Sequence, residues 1–378
     1  MMNKSEQVVR FGLIGTGRGT KFARIVDRVP QAQLVCVLDP NEESRTTFLR
    51  EFPDIAAVKS FDDLLDGRID AIYLASPQQY HGPQAIGALE AGVHVMSEIP
   101  PVVSVEQARE LVGAVRRSSA SYMVAENHCY IPAHLVITEM VREGLFGQIY
   151  FAESEYIYEA RDLQTDDNGR PNWRSFWHVG KNGITYPTHS LGPLLQWLGT
   201  RLDSVMTLGA GHSTSHEMDN TLLLLGRTDG DATVTMRLDL LSYRPAEPAF
   251  VAFQAENGAF DSGRGPFDKP RVYLHGQSPA GEWEPIQNYL EDFQPNRYAA
   301  LFEVPGLWKS PYGPLLDFVE SIMTKTPPPF DVYRALDMML PGIMSETARA
   351  QGAWTAVPNP RFFTDGIGAE IGHEWPLA

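Results

Sequence analysis

Six residues, Gly15-Thr16-Gly17-Arg18-Gly19-Thr20, lie directly behind the apolar run 8–14, and an acid, Asp39, closes a second apolar run, 34–38. Glycines between a strand and a helix let backbone N–H groups approach a diphosphate, and the helix N-terminus favours its negative charge. An acid about twenty residues further on accepts hydrogen bonds from the adenosine ribose hydroxyls and repels a 2′-phosphate. The chemistry these residues point to is dinucleotide binding, with NAD as the cofactor. Gly15, Thr16, Gly17, Arg18, Gly19 and Asp39 are its candidate contacts. Thr20 stands where the fingerprint usually has its third glycine, which loosens the helix–strand packing.

The elements that must position these residues follow from periodicity. Residues 8 to about 125 alternate short apolar runs with helical patterns. Strands are predicted at 8–14, 34–38, 70–75, 93–97 and 121–125, and helices near 18–29, 42–51, 82–91 and 104–118. That alternation predicts a parallel sheet with helices on both faces. Ligands of such sheets bind beyond the carboxyl ends of the strands. The loops carrying Ser76-Pro77 and Glu98-Ile99-Pro100 are therefore expected to face the nicotinamide, and His81 is a candidate helix cap or nicotinamide neighbour. After a helix at about 132–144 the texture changes. Runs 148–158, 203–208, 220–225, 232–240 and 249–255 read as strands joined by turns, interrupted by one helix at 188–198. The stretch 261–312 reads as surface loops, and 313–325 and 331–351 return to helical periodicity. The expected fold is an α/β Rossmann domain over 1–127 and an α+β domain with an open-faced, mostly antiparallel sheet over 128–312. C-terminal helices over 313–378 are expected to pack across both.

The 378-residue length suggests two domains, and the net charge of −16 argues against nucleic acid or an anionic membrane as partner. No apolar run reaches the length of a membrane span, and residues 1–7 lack an apolar signal core, so a cytoplasmic location is expected. Cys36 and Cys129 form no CxxC pair, which makes a thiolate metal site or redox motif a poor reading. His212, His216 and Asp219 have metal-ligand types, but Ser213-Thr214-Ser215 between the histidines does not read as helical. No metal is assigned.

With these residues in place, the chain resembles the Gfo/Idh/MocA family of glucose–fructose oxidoreductase, inositol dehydrogenase and rhizopine-catabolism proteins. The resemblance rests on the glycine turn, Ser76-Pro77 with His81, the run 88–95, Glu98-Ile99-Pro100, Ala125-Glu126-Asn127 and the run 141–149. It implies a Rossmann domain, an open-faced sheet domain, a nicotinamide cofactor and a sugar-like substrate. Two positions depart from the family's pattern. Ile99 replaces the usual lysine beside the reacting hydroxyl, and Thr185 replaces the acid four residues before His189. What stands there, Tyr186-Pro187-Thr188-His189, resembles the NAD-dependent glycosidase branch typified by α-N-acetylgalactosaminidases. That resemblance implies Tyr186 and His189 in the active site, Glu126 near the substrate, and Tyr156 on the strand below it. The branch carries a histidine two residues after that tyrosine, where this chain has Tyr158.

The implied reaction is hydrolysis by transient oxidation. Hydride leaves C3 of the sugar, the new ketone acidifies the C2 proton, a base removes it and the anomeric substituent departs. Water then adds at C1 and the hydride returns. Such chemistry needs positioned proton carriers rather than a pair of carboxylates. His189 is the candidate for the C3 hydroxyl proton. Either Tyr156 or Tyr158 could serve at C2 or at the leaving oxygen. Trp173 and Trp177 are candidate sugar platforms. Two other readings stand beside this one: a net NAD-dependent sugar or cyclitol dehydrogenase, and a non-catalytic NAD-binding sensor. A small-molecule sugar or glycoside is the expected partner. An open sheet face predicts a homodimer or homotetramer.

Overall fold

The computed structural model describes residues 8–166, 168–212, 216–244, 249–265 and 267–364. The chain divides into two compact units. One holds the described residues through Ala125, Ser310–Leu336 and the described residues from Pro360; the other holds Glu126–Lys309 and Asp337–Asn359.

The first unit is built on a six-stranded parallel sheet in the order β3-β2-β1-β4-β5-β6. Its strands are β1 (Val9–Ile14), β2 (Ala32–Leu38), β3 (Ala56–Ala57), β4 (Ala71–Leu74), β5 (His94–Ser97) and β6 (Tyr122–Val124). Sheets covered on both faces need strands without polar alternation. Accordingly all four residues of β4 are buried, as are Phe11, Leu13 and Ile14 of β1. The helices that follow these strands are α1 (Thr16–Ala23), α2 (Glu42–Glu51), α3 (Phe61–Leu64), α4 (His81–Glu90) and α5 (Val105–Arg117). Local sequence sets their ends. The Ser104 side chain accepts the Gln107 N–H at the start of α5, with Glu106 in its first turn and Arg116 and Arg117 in its last. Phe22 of α1 stacks on Tyr73 of β4 at 4.3 Å, anchoring the first helix to the sheet.

Helix α1 is shorter than the sequence suggests. The predicted helix 18–29 ends at Ala23, and Val26–Arg28 forms a separate 3-10 turn. Val29 precedes Pro30 and is extended, as sterics before a proline require.

The second unit carries a nine-stranded sheet in the order β14-β13-β12-β11-β7-β10-β9-β8-β15. Its strands are β7 (Ile149–Ile157), β8 (Leu202–His212), β9 (Asp219–Thr228), β10 (Thr233–Asp239), β11 (Ala249–Ala255), β12 (Gly258–Asp261), β13 (Arg271–Leu274), β14 (Glu284–Pro285) and β15 (Thr355–Ala356). Pairing is antiparallel except between β7 and β10. The stretch 261–312 is more ordered than a loop reading allows: it holds β13, β14 and short helical turns between Ile286 and Glu303. Helices α6 (Pro132–Arg142), α7 (Trp173–Trp177) and α8 (Thr188–Leu198) belong to this unit. Helix α8 packs on β7 and β11. It is buried nearly all round and stops at Gly199, whose φ of 66° makes the left-handed C-cap. Among the described residues no helix is long and apolar enough to cross a membrane.

Candidate active site

The cofactor candidates converge at the carboxyl end of the first sheet. Gly15 has φ of 86°, and a Cβ there would lie 2.5 Å from the Ala75 carbonyl oxygen. Gly19 presses on the Leu13 side chain, where a Cβ would come within 2.6 Å. Gly17 is different: a Cβ there would meet nothing within 4 Å, so the turn is open on the side a diphosphate needs. The Asp39 carboxylate accepts the Thr16 N–H at 2.7 Å and the Thr16 hydroxyl at 2.6 Å through one oxygen, and the Asn41 N–H at 2.9 Å through the other. It is thus locked at the end of β2 beside the glycine turn. These residues fit a dinucleotide: an open glycine turn at a helix start, with an oriented acid beside it.

The two loops beyond β4 and β5 are tied together. His81 bridges them, with Nδ1 2.8 Å from the Pro100 carbonyl and Nε2 2.8 Å from the Ser76 carbonyl. Burial holds its protonation below the ordinary histidine range. His81 opens α4 yet spends its ring on these carbonyls rather than on capping. Pro77 introduces the 3-10 turn Gln78–Tyr80, and the Ser76 hydroxyl donates to Gln84 at 2.6 Å. Glu98 accepts from Arg18 Nε at 2.7 Å and from the Tyr73 hydroxyl at 2.6 Å. Burial alone would raise its carboxyl pKa, but the Arg18 charge and the two hydrogen bonds outweigh that and hold it below the usual carboxylate range. Ile99 is buried and offers no proton carrier.

In the second unit, Glu126, His189, Tyr186 and Tyr156 come together. His189 opens α8, and Gly192 one turn later lets that helix approach the 126–130 turn. A Cβ on Gly192 would lie 3.0 Å from Glu126 Cγ and 3.2 Å from Cys129 Sγ. The result is a fully buried Glu126 whose Oε1 sits 2.6 Å from His189 Nδ1 and also accepts the His128 N–H at 2.9 Å. A carboxylate can only accept, so Nδ1 carries the proton of the neutral ring and Nε2 is left as the acceptor. Glu126 Oε2 is buried with no hydrogen-bond partner among the described residues. Tyr186 meets His189 edge-on at 5.2 Å, and Tyr156 lies 5.3 Å from Tyr186 and 5.6 Å from His189. Tyr158 lies further along β7 and past its end, 6.5 Å from Tyr156. The approach to Tyr186 is fixed from behind: the Ile184 N–H donates to Ser345 Oγ at 2.6 Å, and a Cβ on Gly342 would lie 2.4 Å from the Ile184 carbonyl.

Three residues the sequence reading missed, His128, Trp308 and Arg174, complete the cluster with His178, which sequence places beside Trp173 and Trp177 as a candidate lining of the sugar pocket. His128 stacks on His189 with ring centroids 3.7 Å apart and planes within 4°. Trp308 meets His128 edge-on at 5.8 Å, its carbonyl held by Asn127 Nδ2 at 3.0 Å. His178 meets Tyr186 at 5.3 Å and Trp173 at 5.0 Å, and burial, helped by the Arg174 charge, pushes its pKa down to about 3. Arg174 lies over the Trp173 ring at 4.3 Å; burial disfavours its charge, while Tyr186 and Tyr158 favour it. Trp173 thus packs with Arg174 and His178, whereas Lys181 Nζ lies over the Trp177 ring at 4.9 Å. Of the three missed residues, only His128, directly after Glu126-Asn127, left any local signal.

Glu126, His128 and His189 hold three potential ligand atoms within 4.8 Å of one another. Imidazoles ligate through in-plane lone pairs. Two rings stacked in parallel planes keep those lone pairs in separate parallel planes, which do not meet at one ion. The arrangement suits a hydrogen-bonded base rather than a chelate. In the other histidine pattern, Asp219 accepts from Arg349 at 2.7 and 2.9 Å and is already paired with a guanidinium; residues 213–215 lie outside the described residues.

Residues 9–126 match the Gfo/Idh/MocA model, described as the oxidoreductase family, NAD-binding Rossmann fold. Residues 130–221 match the C-terminal domain of glycosyl hydrolase 109. A glycosyl hydrolase family 109 protein of Shewanella pealeana is 32% identical over 225 residues, 53% of this chain and 48% of the relative. The chain thus matches about half the length of that relative. One from Saccharopolyspora erythraea is 27% identical across 96% of this chain and 85% of its own. Among solved structures, a levoglucosan dehydrogenase in complex with NADH and L-sorbose superposes with a TM-score of 0.80 at 18% identity, covering 93% of this chain and all of the other. That likeness concerns the fold.

Proposed function

We propose that the protein hydrolyses glycosides through transient oxidation at C3 of the sugar. The observation that carries this reading is the Glu126–His189 pair, set among Tyr186, Tyr156 and Arg174. Bound NAD supplies a reversible acceptor for one hydride, which opens this route to a secondary alcohol. His189 Nε2 takes the proton of the C3 hydroxyl, and Glu126 stabilises the imidazolium that forms. The second Glu126 oxygen accepts a neighbouring substrate hydroxyl. Tyr156, nearest of the strand tyrosines to His189, takes the C2 proton and later returns it. Tyr158 protonates the leaving oxygen, and Arg174 steadies the negative charge that develops there. Tyr186 orients the His189 ring. Trp173 holds the Arg174 guanidinium, and Trp177 lines the sugar pocket beside that loop.

In the first unit, Gly15, Thr16, Gly17, Arg18 and Gly19 cradle the diphosphate, and Asp39 holds the adenosine ribose. Ser76, Pro77, His81, Glu98 and Pro100 shape the end that receives the nicotinamide. Supporting the glycosidase over a net dehydrogenase, Ile99 stands where a dehydrogenase of this family has its lysine, and residues 130–221 match the glycosyl hydrolase 109 domain. We further propose a cytoplasmic homodimer or homotetramer, the assembly supported by exposed leucines on the second sheet.

The test is incubation of the purified protein with aryl glycosides in D₂O, following aglycone, NADH absorbance and deuterium at C2 together. Aglycone release with C2 deuteration and no net NADH is expected. Steady NADH from free sugar without bond cleavage would replace this reading with a dehydrogenase.

A further inference from the structure

We propose that His128 is a positioning residue that sets the proton affinity of His189, the two stacked rings taking up one proton between them over the Glu126 carboxylate. The proposal rests on the reading of His189 as the base. Three observations make the stack a built feature rather than a loose contact. The His128 N–H is held by Glu126 Oε1, the same atom that receives His189 Nδ1. The His128 carbonyl is held from the other side by His134 Nδ1 at 2.8 Å; a carbonyl only accepts, so His134 donates, and burial keeps that ring neutral with a pKa of about 4. The His128 ring itself lies against both His189 and Trp308.

The electrostatics of such a pair depend on its charge. Two neutral aromatic rings in a parallel face-to-face stack gain least from their quadrupoles. A cationic ring over a neutral one is attracted to it. Two cationic rings at 3.7 Å, buried beside a single carboxylate, repel by several times the thermal energy. The stack is therefore best satisfied with one proton. That proton belongs on His189, whose Nδ1 faces Glu126, and it is held more tightly with His128 beneath it than without. This is the state His189 enters when it accepts a substrate proton. Among the described residues, ionisable groups that face the pair include Tyr156, 5.6 Å from His189 and 6.3 Å from His128, and Tyr186, 5.2 Å from His189. His134 lies at the backbone, and Lys309 sits 5.4 Å from the Trp308 ring.

The experiment is an NMR titration of the full chain carrying ¹⁵N-labelled histidine, with His189 assigned by its loss in His189→Asn. In the wild type the pair is expected to take up one proton in a single step, not two. His128→Leu should lower the His189 midpoint by about one pH unit, about ten-fold in proton affinity. His128→Phe keeps a flat π face and should recover most of the shift, which mere space-filling would not do. An unchanged midpoint in His128→Leu, or two rings protonating independently in the wild type, overturns the proposal. Should His128→Leu fail to fold, the wild-type titration decides alone. The readout needs no substrate. A coupled pair in a protein without glycoside turnover would sink the functional reading and keep this one, and turnover without coupling would do the reverse.

Discussion

Glu126 and His189 lie 63 residues apart in the chain and 2.6 Å apart in space, with the carboxylate fully buried. A buried carboxylate on one nitrogen fixes both the tautomer and the orientation of the imidazole and leaves its other nitrogen as an acceptor.

Replacing Glu126 with Gln keeps the shape but removes the charge, so the amide no longer stabilises the imidazolium. We expect kcat for aryl glycoside cleavage to fall about 10²–10⁴-fold, the scale of a lost general base. NAD co-purifying with the protein should be unchanged. A variant that keeps its turnover would remove the pair from the mechanism.

The legibility of these features in the sequence follows distance along the chain. The glycine turn, the strand behind it and Asp39 form one contiguous βαβ passage, and their chemistry reads directly. Tyr186 and His189, three residues apart, also read together. Arg174 does not: it sits on a five-residue helix with no periodicity, and its neighbours Tyr158 and Tyr186 are brought to it by tertiary packing. Trp308 reaches His128 from a segment 180 residues later that reads as loop. The short strands β13 and β14 escape notice because four- and two-residue strands among prolines and glycines leave no alternation to count.

Gly15 and Gly17 should fail in different ways. Gly15→Ala places a methyl against the Ala75 carbonyl at a φ of 86°. The left-handed conformation alone costs about 1–2 kcal/mol, and the clash adds to it. A lower melting temperature and loss of bound NAD are expected together. Gly17→Ala meets open space. Its stability without cofactor should stay within about 0.5 kcal/mol of wild type while NAD retention falls. Thermal melts paired with NAD content after purification separate the two.

Glu98 makes stability depend on acid. Its carboxyl pKa is depressed in the folded protein, so its contribution is present above the unfolded value near 4 and is lost as pH falls through the folded value. Glu98→Gln removes charge-assisted hydrogen bonds from Arg18 and Tyr73. It should cost about 2–3 kcal/mol at pH 7. The difference from wild type should shrink in denaturant titrations run below about pH 4. A gap that stays constant with pH would mean the Glu98 charge is not what stabilises the fold.

Leu208 on β8 and Leu223 on β9 are register partners, 52% and 39% exposed, on strands whose neighbouring residues Thr207, Leu222 and Leu224 are buried. Alternation along a strand places such leucines on the face opposite the core. Paired apolar side chains exposed to water mark a surface built to be covered. Closed symmetry would let one such sheet face cover its own copy. The double change Leu208→Glu and Leu223→Glu puts like charges directly opposite each other on that face. It should convert an oligomer to monomer in light scattering coupled to gel filtration, with the melting temperature of the monomer little altered because neither side chain belongs to the core. If the variant keeps the wild-type mass, the subunits meet elsewhere. If the wild type is itself a monomer, the exposed leucines serve some other contact.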